Sequence, residues 1–235
     1  MGKTLHLPPA GSRAALTFAE EGLRAALPAV HVRSVCGRHE EALAVVAREA
    51  PDRARLALFI GSSIGNFDDG EAARLLAGLR GVLGARGALL LGTDLRKDPS
   101  RLIPAYDDAQ GVTAAFNKNV LTRLNRELGA DFDLARFRHV ARWNDRASRV
   151  EMHLASVGAQ VVTLRALGRA VDFADGETIH TESSVKYDLP RVDALLAAAG
   201  LARVRTFSDP EGLFAVHLAR SSRAGDPPII PSPQV

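Results

Sequence analysis

A single cysteine, Cys36, among 235 residues excludes an internal disulfide framework, and the chain has neither a Cys-x-x-Cys pair nor a His/Cys cluster with zinc-ligand spacing. Both absences suit a reducing cytoplasm, where the protein is expected to reside. No stretch reaches the ~20 apolar residues that a membrane-crossing helix needs, and residues 1–9 hold no apolar core of a secretory leader. Arginines are scattered among acids rather than gathered in blocks, and the net charge is only +3 despite a pI near 9.4. Nucleic acid is therefore not an expected partner, nor is a membrane. No internal repeat is visible. What is present is a globular composition: 46% hydrophobic residues, over a length that accommodates one large domain or two small ones.

The chain is organised around residues 56–69, LALFIGSSIGNFDD. Five apolar residues, 56–60, read as a strand buried on both faces. The composition then changes abruptly to Gly61, Ser62, Ser63, Gly65 and Asn66, small or polar residues that let a ligand approach the backbone. Asp68 followed by Glu71 fits a capping box, and Leu75, Leu76, Leu79 and Leu83 continue at helical spacing. Strand, polar loop and helix in this order fit a ligand site at the carboxyl end of an α/β sheet, and equally an ordinary glycine-containing turn.

On either side the same rhythm holds. Residues 4–7 and 31–35 read as strands, 13–27 and 40–50 as helices, and 87–94 as another buried strand ending in a polar corner. Strands separated by helices predict a parallel, doubly wound sheet. After Asp94 the rhythm breaks. Residues 97–104 read as a loop, a long helix carries Val112, Phe116, Val120, Leu124 and Leu128 to a stop at Gly129, and strand-like segments follow at 149–155, 160–167 and 170–173. A helix at 189–199 and an antiparallel hairpin formed by 202–207 and 213–220 close the fold. The expected division is a core from 1–96 and 187–220, an inserted α+β lobe from 97–186, and a Pro-rich disordered tail from 221–235.

Three further stretches are unusual for scaffold. In AYDDAQGVTAAFNKN, Tyr106, Asp107, Asp108, Thr113 and two asparagines crowd a helix entrance, where the acids also serve as ordinary caps. In TIHTESSVKY, Glu182 and Ser184 stand at i and i+2, so an extended segment projects both to one face. They suit one polar ligand, or a solvent-facing edge. Met152 fits core packing as well as a pocket.

Together, GSSIGNF, AYDDAQGVTAAFNKNVL with LNRELGADFD, VEMHL and TESSVKY resemble, in order and spacing, the histidine-specific S-adenosylmethionine-dependent methyltransferases of ergothioneine biosynthesis, over about residues 25–220. The resemblance implies a Rossmann-like α/β methyltransferase core with an inserted α+β substrate lobe. It also implies use of S-adenosyl-L-methionine to trimethylate the α-amine of L-histidine, giving hercynine; the chain is expected to be a monomer. Asn66 and Tyr106 are implied to hold the amino-acid end of the substrate, and Glu182 with Ser184 to read the imidazole. Gly61, Thr113, Phe116 and Met152 are implied to line the same pocket. The chemistry fits the ring, since an imidazole offers two distinct nitrogens to a carboxylate and a hydroxyl. No metal is implied, because a neutral amine attacks a sulfonium methyl directly once aligned.

The cofactor half departs from the family pattern. The core is expected to be partial, lacking the first strand and its glycine-rich loop. Residues 8–12 hold no acid where the family binds the ribose hydroxyls, and Gly37, Arg38 and His39 stand where it places Gly-Asp before an aromatic. Gly37, Arg38, His39 and Ser62 are the expected cofactor contacts. A truncated pseudoenzyme or histidine-binding remnant, and a related methyltransferase for another amino acid, are the alternatives left open.

Overall fold

The computed structural model describes residues 3–7, 13–37, 39–49 and 54–222. Its first part alternates strand and helix: β1 (Lys3–Leu7), α1 (Arg13–Ala26), β2 (Val30–Ser34), α2 (His39–Glu49), β3 (Leu56–Phe59), α3 (Asp69–Leu83) and β4 (Ala88–Asp94). The second part contains α4 (Pro99–Tyr106), α5 (Val112–Leu128), β5 (Phe137–Asn144), β6 (Arg149–Ser156), β7 (Gln160–Leu164), β8 (Arg169–Phe173) and β9 (Thr178–Val185). Helix α6 (Leu189–Ala198) and the strands β10 (Leu201–Ser208) and β11 (Phe214–Ser221) complete the fold.

Helix α3 shows how local sequence sets an element. Asp68 Oδ1 accepts the Glu71 N–H at 2.7 Å and Glu71 Oε2 accepts the Asp68 N–H at 3.1 Å, so two otherwise orphaned donors are met. Ala72, Leu76 and Leu83 then fall on one buried stripe, packed with residues of β4, α6 and β10. Each buried leucine there contributes roughly 1.5–3 kcal/mol by leaving water.

The expected loop at 97–104 is instead helical. Asp98 accepts the Ser100 N–H at 2.7 Å, Pro99 occupies the first helical turn where its missing N–H costs nothing, and Leu102 is buried. Pro104 sits inside this helix, and only Ala105 and Tyr106 follow it before the helix ends.

Hydrogen bonding gives two ladders where the βα rhythm predicts one sheet. β1 pairs with β2 in parallel, and β3 pairs with β4 in parallel; β4 then continues antiparallel to β11 and β11 to β10. Strand β3 is thus the edge of the four-stranded sheet β10-β11-β4-β3. Residues 56–60 are not buried on both faces as their apolar run suggests: Leu56, Leu58 and Ile60 are 57%, 53% and 57% exposed. Ala57 and Phe59 pack against the core, and the opposite face stays more than half exposed among the described residues.

A second core forms between α5 and the strands after it, from Leu121, Phe132, Phe137, Leu154, Val162 and Phe173. Phe137 stands edge-on to Phe132 and Phe173, with centroids 5.5 and 5.4 Å apart. Strands β5, β6 and β9 make an antiparallel sheet, and β7 with β8 an antiparallel hairpin. The end of β9 returns to the end of β4: the Tyr187 N–H donates to the Asp94 carbonyl at 2.9 Å, and the Arg96 N–H to the Tyr187 carbonyl at 2.8 Å. That junction places the side chains considered next. Residues 223–235, including almost all of the tail expected to be disordered, lie outside the described residues.

Candidate active site

The loop after β3 is held in an uncommon conformation. Gly61 has φ +91°, with no atom near the place of a Cβ, and Ser62 adopts the left-handed region at φ +59°. Ser62 Oγ accepts the Asp94 N–H at 2.8 Å, which ties the loop to the carboxyl end of β4. A short 3-10 turn, Ser63–Asn66, follows and carries Asn66. Its Gly65 lies so close to β9 that a Cβ would meet the Val185 carbonyl oxygen at 2.8 Å. Asn66 is therefore set directly beside the strand that carries Glu182 and Ser184.

Tyr106 arrives from the last turn of α4. Its hydroxyl donates to Ser184 Oγ at 2.8 Å. Lys186, 1% exposed, sits behind both. Its three ammonium hydrogens go to Asp94 Oδ2 at 2.7 Å, Tyr106 Oη at 2.6 Å and Ser184 Oγ at 2.9 Å, and its charge lies 4.7 Å from the Tyr106 ring centroid. A buried ammonium is tolerated because the Asp94 carboxylate pairs it and every donor is used. Lys97 Nζ adds a second cation on Asp94, at 2.5 Å from Oδ1.

These groups open on one cleft of about 340 Å³ lined by Gly61, Ser62, Ser63, Asn66, Asp94, Tyr106, Glu182, Ser184, Lys186 and Phe214. A neighbouring hollow shares Asn66 and Glu182 and is bordered by Arg149 and His180. The half-buried Glu182 carboxylate has no hydrogen-bond or ion-pair partner among the described residues. A carboxylate so placed accepts an N–H from whatever enters. On β6, opposite Ser183, Glu151 accepts from Asn144 and Arg149; burial, the largest single influence, raises its pKa, but these hydrogen bonds together outweigh it and bring the pKa down to about 2.

Of the residues expected in the substrate pocket, the structure brings together Gly61, Asn66, Tyr106, Glu182 and Ser184. It does not line the cleft with Thr113, Phe116 or Met152. Phe116 is 68% exposed on α5, and Thr113 lies in the first turn of the same helix. Met152 is buried on β6 directly opposite Glu182, so the two side chains leave the same face of the sheet. Asp108 is the cap that its position allows, accepting from Val112 and Thr113, whose backbone and side-chain bonds hold its pKa at about 2.

Of the two expected cofactor contacts that are described in full, Gly37 and Ser62, Ser62 reaches this cleft. Gly37 follows β2 and lies away from it, with the Glu41 carboxylate beside it. Arg38 and residues 8–12 lie outside the described residues, as does the side chain of His39. Ser62 thus stands in one cleft with the residues expected to hold the substrate. The residues that sequence reasoning missed are Asp94 and Lys186. Lys186 continues the i, i+2 alternation of Glu182 and Ser184, and Asp94 ends the buried run of β4. Among the described residues no group of three or more His, Cys, Asp or Glu side chains is arranged to hold a metal, and no helix is long and apolar enough to cross a membrane.

The cleft lies at strand carboxyl ends, where open α/β sheets bind small molecules, and four of its ten lining residues, Tyr106, Glu182, Ser184 and Lys186, come from residues 97–186. Residues 7–221 match the family model described as "Histidine-specific methyltransferase, SAM-dependent", and the chain belongs to that family. It is 50% identical over 190 residues to a histidine N-alpha-methyltransferase of Mycobacterium tuberculosis, covering 81% of this chain and 58% of that protein. Identity to the histidine N-alpha-methyltransferase of Mycolicibacterium smegmatis is 47% over 204 residues, covering 87% of this chain and 63% of the relative. An ergothioneine biosynthesis protein 1 of Neurospora crassa is 31% identical over 182 residues, 75% of this chain and 20% of that protein. The chain spans about three-fifths of the length of the two bacterial relatives.

Proposed function

We propose that this chain binds L-histidine and takes part in transferring methyl groups from S-adenosylmethionine to its α-amine, giving trimethylhistidine in ergothioneine biosynthesis. The observation that carries the reading is the unpartnered Glu182 carboxylate, in one cleft with Asn66, Tyr106 and Ser184. Glu182 accepts the ring N–H, and Ser184 meets the other ring nitrogen. Asn66 and Tyr106 hold the amino-acid end, with the α-amine toward the Gly61–Ser62 side of the cleft. Bound S-adenosylmethionine supplies an electrophilic methyl group there. The chain's own share is positioning: holding the amine unprotonated and in line is worth several kcal/mol of barrier without any covalent intermediate. Residues 97–186 act as the substrate-binding lobe and contribute Tyr106, Glu182 and Ser184.

Equilibrium binding of the wild-type chain and of Glu182→Ala to histidine, phenylalanine and leucine tests this reading. Loss of a charge-assisted hydrogen bond, worth about 1.5–3 kcal/mol, lowers histidine affinity roughly ten- to a hundredfold. The other two amino acids should barely change, because they never offered the N–H. Equal losses for all three would assign Glu182 to the fold and remove the histidine reading.

A further inference from the structure

We propose that Lys186 is the positioning residue that fixes Ser184 as a hydrogen-bond donor toward the cleft, so that the site takes a neutral imidazole and rejects an imidazolium. The inference rests on the histidine reading and deepens it.

The argument is a count of protons and lone pairs. An ammonium only donates, so Ser184 Oγ and Tyr106 Oη must both accept from Lys186, at 2.9 and 2.6 Å. The third ammonium hydrogen is committed to Asp94. Between the two hydroxyls, 2.8 Å apart, one hydrogen is shared, and the phenol, the more acidic group, donates it. Ser184 Oγ has then accepted twice, which fills its lone pairs. Its own hydrogen has nowhere to go but the cleft.

The consequence is a site of fixed polarity. Glu182 only accepts, and Ser184 only donates. A neutral imidazole carries one N–H and one bare nitrogen and satisfies both. An imidazolium carries two N–H groups, so one of them faces the Ser184 hydrogen with the Lys186 charge behind it. Other charged or titratable groups bear on the same place: Asp94 and, through it, Lys97 from the end of β4, and Arg149 and His180 in the hollow beyond Glu182. His180 is retained in every variant compared, so its contribution is common to all of them.

The test is calorimetric titration of L-histidine into the wild-type chain, Lys186→Met, Ser184→Ala and Tyr106→Phe, each at pH 7.5 and 5.5. With a side-chain pKa of about 6.5, the neutral fraction of histidine falls roughly tenfold over that interval, and wild-type affinity should fall with it. Lys186→Met frees a lone pair on Ser184 and lets the hydroxyl rotate to accept, so its affinity should fall less than about threefold. Ser184→Ala retains the Lys186 charge yet removes the donor, and should flatten the profile equally. A tenfold fall retained in Lys186→Met, with Ser184→Ala flattened, overturns the proposal. Should Lys186→Met fail to fold, Tyr106→Phe decides: it frees the other lone pair and leaves the buried charge pair intact, and an undiminished tenfold fall there overturns the proposal as well. Absence of histidine binding by the wild type at both pH values would instead overturn the substrate reading, and this inference with it.

Discussion

His139 donates its Nε2–H to the backbone carbonyl of Tyr106, 2.8 Å away. A carbonyl only accepts, so this bond sets the tautomer and leaves Nδ1 as an acceptor, which receives Asn117 Nδ2 at 2.9 Å. Asn117 also donates to the His153 carbonyl at 3.2 Å. The last turn of α4 is thus anchored through a buried ring to α5 and β6, and Tyr106 reaches Ser184 from a fixed backbone. Asn117→Ala should leave a ring nitrogen and a carbonyl buried without a donor, at a cost of about 1–3 kcal/mol. For a chain of this size that corresponds to a fall of roughly 2–12 °C in Tm, accompanied by weaker histidine binding. Thermal unfolding and calorimetry of the variant check both, and an unchanged Tm would remove the anchor from the account.

Gly65 makes a second prediction about position. A methyl group there meets the Val185 backbone at 2.8 Å from oxygen and 3.1 Å from nitrogen, and neither belongs to a flexible side chain. Gly65→Ala must therefore push the 3-10 turn away from β9, carrying Asn66 out of line with Ser184. Affinity for histidine should drop about tenfold or more even where the variant remains folded by circular dichroism. Wild-type affinity in a folded Gly65→Ala would show that the close approach is incidental.

Stability should fall in mild acid through His217. Its ring is fully buried between Thr93 Oγ1 at 2.9 Å and Thr206 Oγ1 at 3.0 Å, and burial first, then the nearby Arg203 charge, push its pKa from 6.5 down to about 4. The folded-state pKa is depressed, so the unfolded chain takes up the proton first as pH falls. The contribution is fully present above about pH 6.5 and is lost progressively toward pH 4, amounting to on the order of 3 kcal/mol. Burial lowers the pKa of His153 too, which acts in the same direction. Urea midpoints of wild type and His217→Gln at pH 7, 5.5 and 4.5 should converge as pH falls; parallel curves would mean that His217 does not titrate in this window.

The exposed edge makes the fourth prediction. Among the described residues strand β3 ends its sheet, with Leu56, Leu58 and, just beyond the strand, Ile60 more than half exposed on one face, a combination that templates association. Leu58→Lys should change unfolding free energy by no more than about 0.5 kcal/mol, because the side chain is already more than half exposed. Light scattering at high protein concentration should show less self-association. If the variant associates as readily as wild type, the edge is not the contact.

Much of this molecule is written in short-range pattern. The Asp68 and Glu71 spacing gives the start of α3, Gly129 gives the end of α5 with φ +58°, and the alternation of Glu182 with Ser184 gives a shared face on β9. Each depends on groups within a few residues of one another, where backbone geometry alone fixes the outcome. The exposed face of β3 was not legible, since an apolar run says nothing about whether a second layer covers it. Nor was the role of Lys186, although it continues the same alternation. Its partners Asp94 and Tyr106 are 92 and 80 positions away. What brings them together is the return of β9 to the end of β4 and the anchoring of α4 by His139. A slip of one residue at either place would turn the ammonium to the other face of the strand and leave a buried charge unpaired. The sequence determined which side chains share a face; the pairing of distant strands decided which of them meet, because register is fixed by tertiary packing and not by any local preference.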